Sequence, residues 1–100
     1  MIDLFLINSE LQKKWIEKFK TIEDTFKERA EYNDLHSTFP FENIEWLVKE
    51  GYSLLTLPVE YGGEGATIED MVVLQSYLGS IDGATALSIG WHLSVVGQLY

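Results

Sequence analysis

The chain has no cysteine, which excludes disulfides, thiolate metal sites and cysteine nucleophiles together. Bases are scarce as well: 7 Lys and Arg stand against 16 Asp and Glu, a formal net charge of −9. Nucleic acid and anionic membrane surfaces are recognised by clustered cations that neutralise phosphates, so neither is expected as a partner. Long hydrophobic runs are also missing. The uncharged stretch Gly83 to Tyr100 reaches the lower length limit of a membrane span. Thr85, Ser88, His92, Ser94, Gln98 and three glycines interrupt it, however, so it reads as a buried helix of a globular protein. At the other end, Met1-Ile2-Asp3-Leu4-Phe5-Leu6-Ile7 puts an acid where a signal peptide needs a base and offers only a short apolar run. No targeting segment is read there, and a cytoplasmic protein is expected. His92 lacks a second histidine at metal spacing, and no HExxH or Ser/His/Asp arrangement occurs, so no metal site and no catalytic residue is read.

What the chain does have is helical periodicity around one hinge. One hundred residues make a single small domain (1–100) with a modest core. Ser9 with Gln12 has the form of a capping box, and Leu11, Trp15, Phe19, Ile22, Phe26 and Ala30 follow at spacings of four and three. They predict one long helix over about 10 to 32, ended by Asn33 and Asp34, with Glu10–Lys14 and Glu23–Lys27 as solvated i,i+4 pairs. His36 is expected in the following loop. Pro40 fits the first position of a short helix carrying Phe41, Ile44, Trp46, Leu47 and Val48, closed by Gly51. Tyr52 to Leu57 is read as an extended connection.

The hinge is Leu57-Pro58-Val59-Glu60-Tyr61-Gly62-Gly63-Glu64-Gly65-Ala66-Thr67. Its proline and glycines reverse the chain without regular structure, and Thr67 with Asp70 caps the helix that follows. That helix is apolar on two sides, Met71, Val72, Gln75 and Leu78 on one and Val73, Leu74 and Tyr77 on the other, so it must be covered on both. Gly79 and Gly83 bracket the next break, with Asp82 as N-cap. The last helix, about 84 to 100, sorts into a stripe of small residues (Ala86, Gly90, Ser94, Gly97), a stripe of large ones (Ile89, Leu93, Val96, Tyr100) and a polar track of Thr85, Ser88 and His92.

The residues themselves give little chemistry. A Gly-Gly-Glu-Gly turn ahead of a helix is the form of a phosphate cradle, but it lacks a lysine, and Glu60, Glu64, Glu69 and Asp70 would repel an anion. It reads as a turn. Glu60 and Glu64 are not read as an acid/base pair, since nothing nearby raises either pKa. The small stripe lets something approach the last helix closely, either a neighbouring helix or a ligand. The apolar residues of the last two helices exceed what one small core can hide. Val72, Val73, Leu74 and Tyr77 on one, and Ile89, Trp91, Leu93, Val95, Val96, Leu99 and Tyr100 on the other, predict self-association to a homo-oligomer.

Phe39-Pro40-Phe41-Glu42-Asn43, Gly51 through Leu57, Leu57-Pro58-Val59-Glu60-Tyr61-Gly62-Gly63-Glu64-Gly65, and Asp82 followed by Thr85-Ala86-Leu87 and Gly90-Trp91-His92 occur in an order that resembles the N-terminal helical domain of the acyl-CoA dehydrogenase family. The resemblance runs from about Ser9 to the end. It implies an all-α, up-and-down-like four-helix domain from a much longer flavoenzyme, whose β-domain and C-terminal helical domain are absent here. Such enzymes bind FAD and remove the α and β hydrogens of an acyl-CoA with a glutamate base. Because that base and most flavin contacts belong to the absent domains, this chain alone is expected to hold no FAD and to be inactive. The family's use of this domain implies that Thr85, Ser88, Ile89 and His92 form part of the acyl-pocket wall. The Gly-Trp-His run is also similar to flavin monooxygenases of the same fold. That alternative, an acyl-CoA oxidase, and a stand-alone helical interaction module are the rival readings.

Overall fold

A computed structural model describes residues 9–99, Leu99 by its backbone alone. Its helices are α1 (Glu10–His36), α2 (Phe41–Lys49), α3 (Ile68–Ile81) and α4 (Gly83–Leu99), and no strand occurs among the described residues. The Met1–Ile7 run and Tyr100 lie outside them. The all-α, four-helix reading is the fold observed.

The α1 stripe faces inward as its spacing requires: Trp15, Phe19 and Phe26 are fully buried, with Leu11, Ile22 and Ala30 half-buried beside them. Ser9 caps the helix, its Oγ accepting from the Gln12 amide at 3.1 Å. The helix does not stop at Asn33 and Asp34. Thr38 meets the polar groups of Asn33, its amide donating to the Asn33 carbonyl and its hydroxyl to Asn33 Oδ1, so the chain stays helical until Ser37 turns left-handed at φ 51°. His36 therefore belongs to α1, where it is exposed, stacks on Tyr32 at 4.0 Å and donates from Nδ1 to the Tyr32 carbonyl. Glu23–Lys27 pairs as expected at 3.1 Å. Lys14 instead leaves Glu10 to Lys13 and reaches Glu64 at 2.7 Å.

Pro40 sits one position ahead of the expected place, as the N-cap of α2, while Gly51 closes that helix at φ 90°. The segment after it is not extended. Tyr52–Leu54 is a 3-10 turn, because Tyr52 and Leu55 both belong in the core and three residues per turn sends both inward. Tyr52 is central there, edge-on to Trp15 at 5.0 Å and to Phe19 at 5.4 Å. Val59–Tyr61 in the hinge is a second such turn, with none of its residues buried. The hinge folds tightly back on itself. A Cβ on Gly63 would lie 2.0 Å from the Leu57 carbonyl oxygen, so only glycine fits.

The capping box of Thr67 and Asp70 opens α3 as expected. Asp70 also ties α3 to α1, accepting from Ser9 Oγ at 2.9 Å and Gln12 Nε2 at 2.7 Å. Helix α3 passes through Gly79 to Ile81 and is covered on two sides, by α1 and by α4. The domain measures 40 × 29 × 18 Å, and 18 Å is under two helix diameters. So thin a slab leaves Val72, Leu87, Trp91 and Val95 exposed on the α3–α4 side.

Candidate functional site

Only one residue, Asp82, separates α3 from α4, and it is buried. Its carboxylate accepts from the Thr85 amide at 3.3 Å and from the Thr85 hydroxyl, the expected N-cap. Asn43 of α2 adds a third donor at 2.7 Å while also donating to the Phe26 carbonyl of α1. The direction in which α4 leaves α3 is thereby fixed against α1 and α2.

Three further contacts hold α4 along its length. Gln75 Nε2 donates to the Ala86 carbonyl at 2.8 Å, Thr56 Oγ1 donates to the Leu93 carbonyl at 2.8 Å, and His92 Nε2 donates to the Ser53 carbonyl at 3.0 Å. Gln75 is itself held, since its Oε1 accepts from the Tyr52 hydroxyl at 2.8 Å. Burial pushes the Tyr52 phenol far above its ordinary pKa, so it stays a donor across the working range.

A groove of about 720 Å³ lies between α3 and α4, lined by Met71, Val72, Gln75, Leu87, Trp91 and their neighbours. A second hollow of about 480 Å³ lies between the hinge and the far half of α4. Both touch Met71 and Ser94, so the two hollows adjoin end to end as a trough along α4. The small stripe Ala86, Gly90, Ser94 and Gly97 runs along it, and no charged side chain lines it.

Thr85, Ser88, Ile89 and His92 share the other half of α4. Thr85 is fully buried on Asp82, Ile89 packs in the core, Ser88 donates to the Ala84 carbonyl at 2.9 Å, and exposed His92 is on Ser53. None of the four lines the trough. The residues that sequence reasoning passed over are Asn43, Tyr52 and Gln75. Asn43 and Gln75 had carried a signal, a polar residue set among apolar ones on a helix that packs.

The hinge offers no cradle for a cofactor phosphate. The amides of Gly62, Gly63, Glu64, Gly65 and Ala66 each donate to a carbonyl of residues 54–59, and the Thr67 amide donates to Asp70. Glu60 is exposed, while Glu64 accepts from Trp15 Nε1 at 3.1 Å and from Lys14. The groups that would receive a pyrophosphate are thus in use, and the carboxylates nearby repel one. The hinge therefore does not fit the pyrophosphate of a cofactor such as FAD. Among the described residues no cluster of His, Asp and Glu suits a metal ion, and no helix is long and apolar enough to cross a membrane.

The profile of the family described as "Acyl-CoA dehydrogenase, N-terminal domain" matches residues 9–100. A Bacillus subtilis (strain 168) protein named "Putative acyl-CoA dehydrogenase YdbM" is 45% identical over 98 residues, covering 98% of this chain and 26% of its own length. The "3-sulfinopropanoyl-CoA desulfinase" of Cupriavidus necator (strain ATCC 43291 / DSM 13513 / CCUG 52238 / LMG 8453 / N-1) is 35% identical over 49 residues, 49% of this chain and 12% of that protein. The chain thus spans about a quarter or less of these relatives, and no solved structure matches it significantly. The match covers all four helices and the hinge, and the chain belongs to the acyl-CoA dehydrogenase family, whose N-terminal domain it carries.

Proposed function

We propose that the chain serves as the N-terminal domain of an FAD-dependent acyl-CoA dehydrogenase and that the trough along α4 is its contribution to the acyl site. The observation that carries this reading is the trough. It is mostly apolar, has no charged side chain, and runs along α4, a helix of 17 residues and so about 25 Å long at 1.5 Å per residue. An alkyl chain asks for apolar surface and leaves no hydrogen bond to satisfy, which is what small side chains along a helix provide. Both relatives carry a CoA thioester in their names.

The domain's part is positioning. A trough without an ionisable group supplies no base, and the hinge amides are already bonded; both facts support the reading that the base and the flavin site lie in other parts of the protein. FAD would supply the acceptor for the hydrogens removed from the thioester. The monooxygenase alternative rests on His92, whose Nε2 is engaged by the Ser53 carbonyl away from the trough.

The test uses the complete protein of which this chain is the N-terminal domain, assayed with a series of acyl-CoA lengths. Ser94→Leu narrows the trough and shifts preference toward shorter chains, while His92→Leu and Ser88→Val leave the series unchanged. The reverse pattern would move the wall to the Thr85, Ser88, Ile89 and His92 side and overturn the trough as the acyl surface.

A further inference from the structure

Two carbonyls of α4 accept a side-chain hydrogen bond from outside the helix, and each lies four residues before a glycine. Ala86 O receives Gln75 Nε2, with Gly90 four positions on, and Leu93 O receives Thr56 Oγ1, with Gly97 four positions on. In an α-helix the side chain at i+4 leans back toward the N-terminus, over the turn that contains the carbonyl of residue i. A glycine there uncovers the second lone pair of a carbonyl whose first already accepts the intrahelical amide. At Gly90 the uncovered space is taken, since a Cβ there would stand 2.6 Å from Gln75 Nε2; at Gly97 a Cβ would meet Thr56 Cβ at 3.5 Å, an ordinary packing contact. Each glycine weakens a helix interior by about 1 kcal/mol relative to alanine, so a helix that had only to form would do better without them.

We propose that Gln75 and Thr56 are positioning residues of the acyl site: they hold α4 by the Ala86 and Leu93 carbonyls that Gly90 and Gly97 uncover, and so set the depth of the trough. This rests on the reading of α4 as an acyl wall. Holding a helix by its main chain separates where it sits from what its side chains are. Residues along the trough can then vary with substrate while the helix stays in register. The hold extends into the core, because Tyr52, fully buried against Trp15 and Phe19, fixes the Gln75 amide.

The experiment uses the complete protein with two readouts, amide exchange over residues 83–99 and the KM against kcat split for acyl-CoA substrates. Thr56→Val removes the donor at constant volume, and Thr56→Ser keeps it. Expected for Thr56→Val is faster exchange in α4 with α1 unchanged, and a KM higher by roughly fivefold, the size of one hydrogen bond, with kcat nearly constant. Thr56→Ser restores both. Gly90→Ala and Gln75→Met remove the same bond, so the double variant should be no worse than the poorer single one. Unchanged exchange in α4, additive effects of Gly90→Ala and Gln75→Met, or failure of Thr56→Ser to rescue overturns the main-chain hold. Faster exchange with an unaltered KM overturns its role in the acyl site. A complete protein that turns over no acyl-CoA overturns the acyl reading and that role with it, while exchange still decides whether the hold exists.

Discussion

Asn43 and Asp82, 39 residues apart, meet through a 2.7 Å hydrogen bond in which the Asn43 amide donates to a carboxylate that the protein buries. Arg29 of α1 donates to Asn43 Oδ1 at 3.3 Å, so a surface cation is linked through a neutral amide to a buried anion. The carboxylate also caps α4. One polar cluster therefore joins α1, α2 and the α3–α4 junction.

Asn43→Leu should destabilise the domain by about 2 to 3 kcal/mol, the usual result of removing one partner from a buried charged group. Asn43→Asp should be worse at neutral pH, where it sets a second anion beside Asp82. Urea midpoints of the three proteins check this, and a wild-type midpoint for Asn43→Leu would show that the thin core orients α4 unaided.

Acid should loosen the junction of α1 and α3. Burial pushes the Asp70 carboxyl up, but the bonds from Gln12, Thr67 and Ser9 outweigh it and hold the carboxyl below its ordinary 3.8. A folded-state pKa below the unfolded one means that this stability is complete above the unfolded value and fades as pH falls through the folded one. Glu23, lowered by the Lys27 and Tyr77 bonds, acts in the same direction. Asp70→Asn should lose about 1 to 2 kcal/mol at pH 7, as loss of a charged cap does, and respond less to acid. Thermal midpoints of the two proteins at pH 7 and pH 3 make the comparison. Equal acid sensitivity would place the effect elsewhere.

Two neighbouring glycines should respond very differently to alanine. Gly62 is left-handed at φ 90° with open space around it, so Gly62→Ala should lose only about 1 kcal/mol to backbone strain. At Gly63 the new Cβ would strike the Leu57 main chain at 2.0 Å, which no rotamer relieves, and the loss should be several times larger. Expression level and urea midpoint rank them. Equal losses would mean that the hinge shifts without penalty.

The helices were legible because period and caps agree: the α1 stripe, the Thr67–Asp70 box and Asp82 each have their expected role. The segment from Tyr52 to Leu57 was not, since a short apolar run fits strand, 3-10 turn or loop until it is known that Tyr52 and Leu55 share one core. The site was harder. The small stripe of α4 was visible, but whether it meets a helix or a ligand depends on Gln75 and Thr56, whose bonds run to main-chain atoms that a sequence does not display. The polar track was visible too; the bonds of Thr85 to Asp82 and of His92 to Ser53 were not, since those contacts are set by the fold rather than by spacing along the helix.

The last prediction uses tryptophan as its own reporter. Trp15 is fully buried, Trp46 is half-buried against Phe26, and Trp91 is 77% exposed at the edge of the trough. In the isolated chain Trp91 should emit to the red and be quenched readily by iodide, and Trp91→Phe should remove the quenchable part. The four exposed apolar side chains Val72, Leu87, Trp91 and Val95 lie on one side, and such a surface is seldom left wet. The isolated chain should therefore self-associate at high concentration, with the Trp91 emission moving to the blue as it does. In the complete protein, where the proposed function places further domains and substrate against α4, Trp91 should be shielded at every concentration. Quenching measured in both forms, with light scattering on the isolated chain, decides the matter. If iodide reaches Trp91 equally well in the two, nothing packs on this side of α4, and the trough is an open surface rather than the wall of a site.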